Sequence, residues 1–301
     1  MLKWCFLFLV SFFSFALDAK ELEIEKVSYK DLQKIYDFYD YDEYLPLDDY
    51  FFPPIFLKNI PEGYEQIVDE PYRNRMFIKI LAPLALKVNE DILAERNEIM
   101  PLYNSFVVDG NKLNKKQKEF VEQKAEKYDI FSRLQDDERY LYLLKELTQR
   151  VDEVPVSVII AISAVETNWG TNRLVRDGNV LFKERVWHTS EGLKSKDDDD
   201  DYRYRIFPSL YDAIYSFALK INSDNDFENF RYMRREIRYR RKPVTGINTA
   251  FSLLFLSAIK NFAGLIEYTV AYYELNVIDK CKLDDKMLEK DLDKELARLI
   301  R

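Results

Sequence analysis

The segment Pro155–Gly170, reading PVSVIIAISAVETNWG, constrains the fold more than any other stretch. Proline suits the first turn of a helix, where its missing N–H costs nothing. Val158, Ile159, Ile160, Ala161, Ile162, Ala164 and Val165 leave no polar face, so the spacing predicts a helix buried all round. Gly170 supplies the left-handed residue expected to end it. Glu166 is the one acid after this apolar run. A carboxyl carried out of such a helix is expected to be partly desolvated, which disfavours its charged form and raises its pKa. A carboxylic acid that stays protonated near neutrality can protonate a leaving glycosidic oxygen. The bland alternative is a helix-end Glu turned to solvent, and on spacing alone that alternative is favoured, because helix-end acids are common.

The continuation changes the balance. Gly170 is followed by TNRLVRDGNVLF, ending at Phe182, so the whole motif is AVETNWGTNRLVRDGNVLF. It resembles the Glu–Ser–x–Trp–Gly–Thr–Ser … Gly–Asn–Asn–Leu–Phe–Gly signature of bacterial cell-wall glucosaminidases. The similarity is to their Bax-type branch, related to glycoside hydrolase family 73 and the lysozyme-like superfamily. Tyr204–Asn222 and Asp226–Arg231 resemble that family's second stretch, and Pro53–Pro61 and Phe77–Leu84 resemble the arm that precedes the domain in this branch. The resemblance is densest over 151–280.

It implies a mostly α, lysozyme-like domain with a small irregular or β lobe behind a helical N-terminal arm. The implied division is a signal peptide at 1–16, an arm and linker at 17–145, the glucosaminidase domain at 146–280 and a charged C-terminal helix at 281–301. The implied activity is that of an endo-β-N-acetylglucosaminidase cutting peptidoglycan glycan strands after N-acetylglucosamine, with Glu166 as general acid. No cofactor is implied. Asn179, Leu181 and Phe182 would line the floor beside Glu166, and Glu267 and Tyr268 would face the same cleft. Trp169, Tyr204, Phe207 and Tyr215 fall in or near the motifs and could stack on sugars, although aromatic residues at helical spacing are usually core.

Three positions depart from the family pattern. Val180 replaces the second Asn, Lys183 replaces the Gly after Leu-Phe, and the late Tyr-Ser-Glu falls on Phe262-Ala263-Gly264, so its acid is missing. A second carboxylate sets the attack of water in a glycosidase. The candidates are Glu184, Glu191, the Asp197–Asp201 run and Glu267, and sequence does not choose among them. A lytic transglycosylase, or a peptidoglycan-binding scaffold that kept the fold without the chemistry, remain open alternatives, as does dependence on an activating protein partner.

Composition sets outer limits. Hydrophobic residues at 47% and aromatics at 15% can build a core, and 33% charged residues with only 7 Gly favour a helix-rich chain. Met1–Ala16 carries one Lys, a short apolar run and a small-x-small end at Ser14-Phe-Ala16, which reads as a secretory signal cleaved near Ala16, with the rest periplasmic. The run is too short for a comfortable membrane span, so no stable membrane insertion is expected after cleavage. Losing one Lys and no acid would take the formal charge from −8 to −9. That balance gains nothing from attraction to nucleic acid, and it is unusual for a protein approaching an anionic wall. Cys281 would then be the sole cysteine, so packing rather than a disulfide must stabilise the chain.

Other chemistries thin out. His188 is the only histidine, which excludes an HExxH zinc site and leaves no Gly-x-Ser-x-Gly elbow for a triad. The Asp197–Asp201 run lacks the alternating ligands and interior Gly of a calcium loop, so no metal is expected. Arg231, Arg234, Arg235, Arg238 and Arg241 recur at helical spacing. They read as an exposed stripe, or as a dock for stem-peptide carboxylates. Helices are expected at 74–98, 115–127, 139–151, 209–222, 228–240, 249–260 and 265–278, after an acidic, tyrosine-rich region and a proline-punctuated linker. The leucines at 288, 292, 296 and 299 predict a docking helix at the C-terminus.

Overall fold

A computed structural model describes residues 20–41, 51–187, 191–194, 201–253, 261–292 and 294–299. The signal-peptide reading, His188 and Asp197–Asp200 lie outside these residues. The described chain is mostly helical with three two-stranded sheets, which agrees with the mostly α class and is consistent with a lysozyme-like domain.

The elements run β1 (Leu22–Ile24), α1 (Tyr29–Phe38), β2 (Phe51–Phe52), β3 (Ile55–Leu57), α2 (Glu70–Tyr103), α3 (Lys115–Lys127) and α4 (Asp136–Arg150). Next come α5 (Val156–Thr167), α6 (Arg173–Gly178), β4 (Arg185–Trp187), β5 (Tyr202–Tyr204), α7 (Leu210–Ser223) and α8 (Glu228–Tyr239). The described chain ends with α9 (Gly246–Thr249), α10 (Phe262–Tyr272), β6 (Lys282–Leu283) and α11 (Lys294–Ala297). β1 pairs in parallel with β3, β2 with β6, and β4 runs antiparallel to β5.

The long α2 is the organiser. Asp69 caps it by accepting from the Tyr72 N–H, and its apolar run from Met76 to Leu86 is buried almost without interruption. It packs on β3, α4, α5 and α7. The largest group of buried side chains is continuous from Ile24 to Leu288, so packing draws no boundary between an arm and a domain near residue 145. The helical arm expected at 17–145 shares its core with the motif-bearing helices.

Several expectations are corrected. The tyrosine-rich N-terminal region holds the helix α1, capped by Ser28, and the proline linker holds β3, added beside β1. The stretch expected as a small irregular or β lobe holds the β4–β5 hairpin, in keeping with that expectation, and also the short helix α6. The helix expected over 249–260 is α9 followed by a 3₁₀ turn at Ala250–Leu253, and 254–260 lie outside the description. The tail is not one docking helix. It forms β6, a 3₁₀ turn at Asp285–Leu288 and the four-residue α11, and only Leu288 is fully buried in the core. Pairing of β6 with β2 competes with helix there, because a strand edge supplies ready backbone partners.

The arginine stripe is split: Arg235, Arg238 and Arg241 are exposed as expected, whereas two of its members turn inward. Arg231 and Arg234 are buried, and Arg234 donates to the carbonyls of Gln149, Arg150, Asp152 and Glu153 and to Asn222 Oδ1. Arg238 grips Asp152 with two bonds of 2.6 Å. Arg234 closes the C-terminal end of α4 and Arg231 that of α7, where it donates to the Ile221 and Asp224 carbonyls, since the last carbonyls of a helix have no helical partner. Arg231 and Arg234 are therefore structural staples, and Arg238 is tied to Asp152 and Glu153 at the surface. Enclosure pushes Asp152 up, but Arg234, Arg238 and Arg96 outweigh it and hold the carboxyl below the usual aspartate range.

Candidate functional site

α5 is buried from Val156 to Ala164, as its uniform apolarity demands. Pro155 stands at the N-cap, not inside the first turn, and offers no capping side chain. Asp279 supplies the missing acceptor from afar: its two oxygens receive the Ser157 N–H at 2.9 Å and the Ser157 hydroxyl at 2.6 Å. A carboxylate at a helix N-terminus also meets the positive end of the helix dipole. Asn89 on α2 fixes the approach to the helix, donating to the Val154 carbonyl at 2.7 Å and accepting from its N–H at 3.0 Å. Two separate anchors thus set the axis that carries Glu166.

The far end stops sharply. Asn168, Trp169 and Gly170 are all left-handed, with φ of 50°, 57° and 75°. The helix therefore ends two residues before Gly170, with the Trp169 N–H returning to the Ala164 carbonyl at 2.9 Å. Gly170 is still required: a Cβ there would lie 2.7 Å from the Phe77 ring of α2. Trp169 is consumed by this turn. Its ring packs edge-on to Phe77 and at 4.5 Å from Tyr273, and its carbonyl accepts from the Tyr64 hydroxyl.

Glu166 points into a cavity of about 80 Å³ lined by Ile162, Phe182, Glu184, Phe217, Lys220, Phe227 and Phe262. Its side chain is 12% exposed, and its Oε2 lies 3.5 Å from the Lys183 ammonium. Glu184 stands on the same wall. One oxygen pairs with Arg205 at 2.8 Å and the other accepts from the Ser216 hydroxyl at 2.9 Å. Phe182 stacks flat on Phe217, centroids 4.0 Å apart, and forms the apolar floor. Two carboxyls, two ammoniums and a ring floor therefore meet at one end of a buried helix.

The other candidates are scattered. Leu181 lies in the core beneath this floor. Asn179 is a buried left-handed cap of α6 whose amide donates to Asn59 Oδ1 and to the Phe207 carbonyl, tying the motif to the β3 segment. Tyr204 belongs to a small cluster with Leu174, Val180 and Tyr202 under the hairpin. Tyr215 faces α2, where its hydroxyl reaches Glu95 at 3.4 Å. Glu267 and Tyr268 are exposed on α10, and Glu191 and Asp201 are exposed in the lobe. Among the second-acid candidates that the structure describes, Glu184 alone lines the Glu166 cavity. Ser216, Phe217 and Lys220 escaped sequence reasoning. Their signal was the helical spacing within 209–222, which puts these three on one face of α7.

Val180 is buried in the hairpin cluster, where an Asn would need partners. Phe262, at the place of the family's late Tyr, reaches the cavity. Among the described residues no group of three or more His, Cys, Asp or Glu could hold a metal ion, and no helix is long and apolar enough to cross a membrane.

Residues 142–251 match the family model described as Glucosaminidase: Mannosyl-glycoprotein endo-beta-N-acetylglucosaminidase. Among curated proteins, the chain is similar to Protein bax of Escherichia coli (strain K12), 28% identical over 104 residues, which is 33% of this chain and 35% of that protein. The matched part spans about a third of that relative's length. No solved structure gives a significant match. The family match contains Glu166, Phe182, Lys183, Glu184 and the α7 face of the cavity, and stops short of Phe262, Glu267 and Tyr268.

Proposed function

From a glucosaminidase-family domain at 142–251, in a chain whose similarities support a Bax-type family protein, we propose an exported, periplasmic peptidoglycan hydrolase. It cleaves the β-1,4 bond after N-acetylglucosamine, with Glu166 as general acid. The observation that carries this reading is the shared cavity of Glu166 and Glu184 at the end of α5.

In its protonated form Glu166 gives a proton to the glycosidic oxygen as the bond to the anomeric carbon breaks. The positive charge that develops on the sugar needs a fixed anion or a directed water. Glu184 suits that role, because Arg205 and Ser216 hold its two oxygens in place. Phe182 and Phe217 offer an apolar face against which a pyranose can lie. A ligand site usually needs about 300 Å³ or more, so the cleft around Glu166, whose carboxylate is paired with the Lys183 ammonium, must open for a sugar to enter.

Glu166→Gln is expected to fold normally and to lose turnover of purified peptidoglycan by about a hundredfold or more, the usual worth of positioned proton transfer. Glu184→Gln should lower turnover with a smaller change in substrate affinity. Full turnover in Glu166→Gln would reject the proposal.

A further inference from the structure

Lys183 stands where the resembling motif carries glycine, and its backbone adopts a glycine conformation, with φ of +44°. A side chain in that region is disfavoured, and strain beside a reactive group is a reason to ask what it serves. What it places is an ammonium 3.5 Å from Glu166 Oε2. The other charged groups described at the cavity are Glu184, engaged by Arg205 and Ser216, and Lys220 on α7.

We propose that Lys183 is a specificity-determining residue that couples release of Glu166 to a carboxylate on the incoming glycan. This rests on the glycan-cleaving reading above. In the empty cleft Lys183 ties back Glu166. When a carboxylate-bearing sugar enters, the ammonium moves to that carboxylate, and Glu166, without its counter-ion, takes a proton from bulk solvent and presents it to the glycosidic oxygen. One ion pair is exchanged for another, and the proton that Glu166 gains is the one it delivers. A neutral glycan would have to break the Lys183–Glu166 pair without replacing it, so it is discriminated against by an unpaired charge. The ammonium can make the move because Lys183 is 34% exposed on a long flexible stem. The substrate carboxylate can come from a lactyl ether on the sugar or from an attached stem peptide.

Calorimetric binding to the Glu166→Gln protein, which prevents turnover and has no Lys183–Glu166 ion pair, reads the preference of the ammonium for a carboxylate. Turnover by the protein with Glu166 intact reads the coupling, since Lys183→Met should raise turnover of the neutral glycan relative to the carboxylate-bearing ones. Three soluble tetrasaccharides serve as probes: all N-acetylglucosamine, alternating with bare lactyl-ether carboxylates, and the same with stem peptides amide-linked to those carboxylates. At least one carboxylate-bearing probe should bind about tenfold tighter than the neutral one. A preference for the bare form identifies the lactyl carboxylate as the partner, and a preference kept only by the peptide form identifies the stem peptide. Adding Lys183→Met or Lys183→Gly should level the affinities, and Lys183→Arg should restore the preference. Lys183→Gly relieves the backbone, so a folding failure is not expected to obscure the result. Lys220→Met should keep the preference. Equal affinities with Lys183 present, or a preference that survives its removal, would overturn the assignment. No binding of any probe would overturn it together with the glycan reading, whereas carboxylate-selective binding without cleavage by the unmutated protein would reject hydrolysis alone.

Discussion

Asn168, Trp169 and Gly170 turn the chain beneath Glu166 through three left-handed residues, and of these Gly170 has no room for a side chain. Gly170→Ala should cost about 2 kcal/mol or more, from backbone strain and from collision with Phe77. Denaturant unfolding checks this, and a midpoint unchanged from the parent would show that the turn can yield. At this scale the spacing alone favours a Glu166 turned to solvent, and only the motif that follows it points to the enclosed position at the cavity. Phe182 was legible through the motif. Trp169 carries the same motif signal, yet its ring went to Phe77 and Tyr273, partners distant in sequence that no local pattern reveals. The pairing of Lys183 with Glu166 was hidden for the same reason: the departure from glycine was visible, but not where the ammonium would land.

Helices α2, α3, α7 and α8 were readable at the level of elements from an apolar stripe of the right period or a clear cap, and α5 from its unbroken apolar run after Pro155. The β4–β5 hairpin and the strands pairing near the termini were not. They are two or three residues long, and tertiary contacts decide them rather than local propensity. The α8 arginines show a further limit. Helical spacing tells which residues share a face but not whether that face meets water. Here part of it meets the open carbonyls at and just beyond the end of α4, where Arg234 binds those of Gln149 and Arg150 in the helix and of Asp152 and Glu153 after it. Arg234→Met should therefore destabilise the protein by about 3–5 kcal/mol, since Asp152 would lose a buried partner and the carbonyls their donor. Thermal unfolding measures this, and a loss below about 1 kcal/mol would mean that water replaces the guanidinium.

Across the whole molecule, one core joins the N-terminal segment, α2 and the motif-bearing helices, so stability should respond to pH as a single unit. Enclosure raises the Asp279 carboxyl from 3.8 to about 6, despite its bonds from Ser157 and Gly246. Between these values the folded chain holds a proton that the unfolded chain has released, so stability from this group is greatest below about pH 4 and falls as pH rises to 6. Asp152 has the opposite sign: its depressed carboxyl stabilises the fold above the ordinary aspartate range, and that contribution is lost as pH falls through its folded value. Denaturation of the parent and of Asp279→Asn across pH 4–7 separates the two, because only the parent should lose stability from 4 to 6. An identical slope in both would remove Asp279 from the account.

The central claim is that Glu166 protonates a glycosidic oxygen in peptidoglycan. Mass spectrometry of the fragments released from purified sacculi by the protein and by Glu166→Gln tests it most directly. The account predicts new reducing-end N-acetylglucosamine from the unmutated protein alone. Equal release by both proteins would contradict it, and anhydro-muramyl ends made only by the unmutated protein would contradict hydrolysis while keeping Glu166 as the acid.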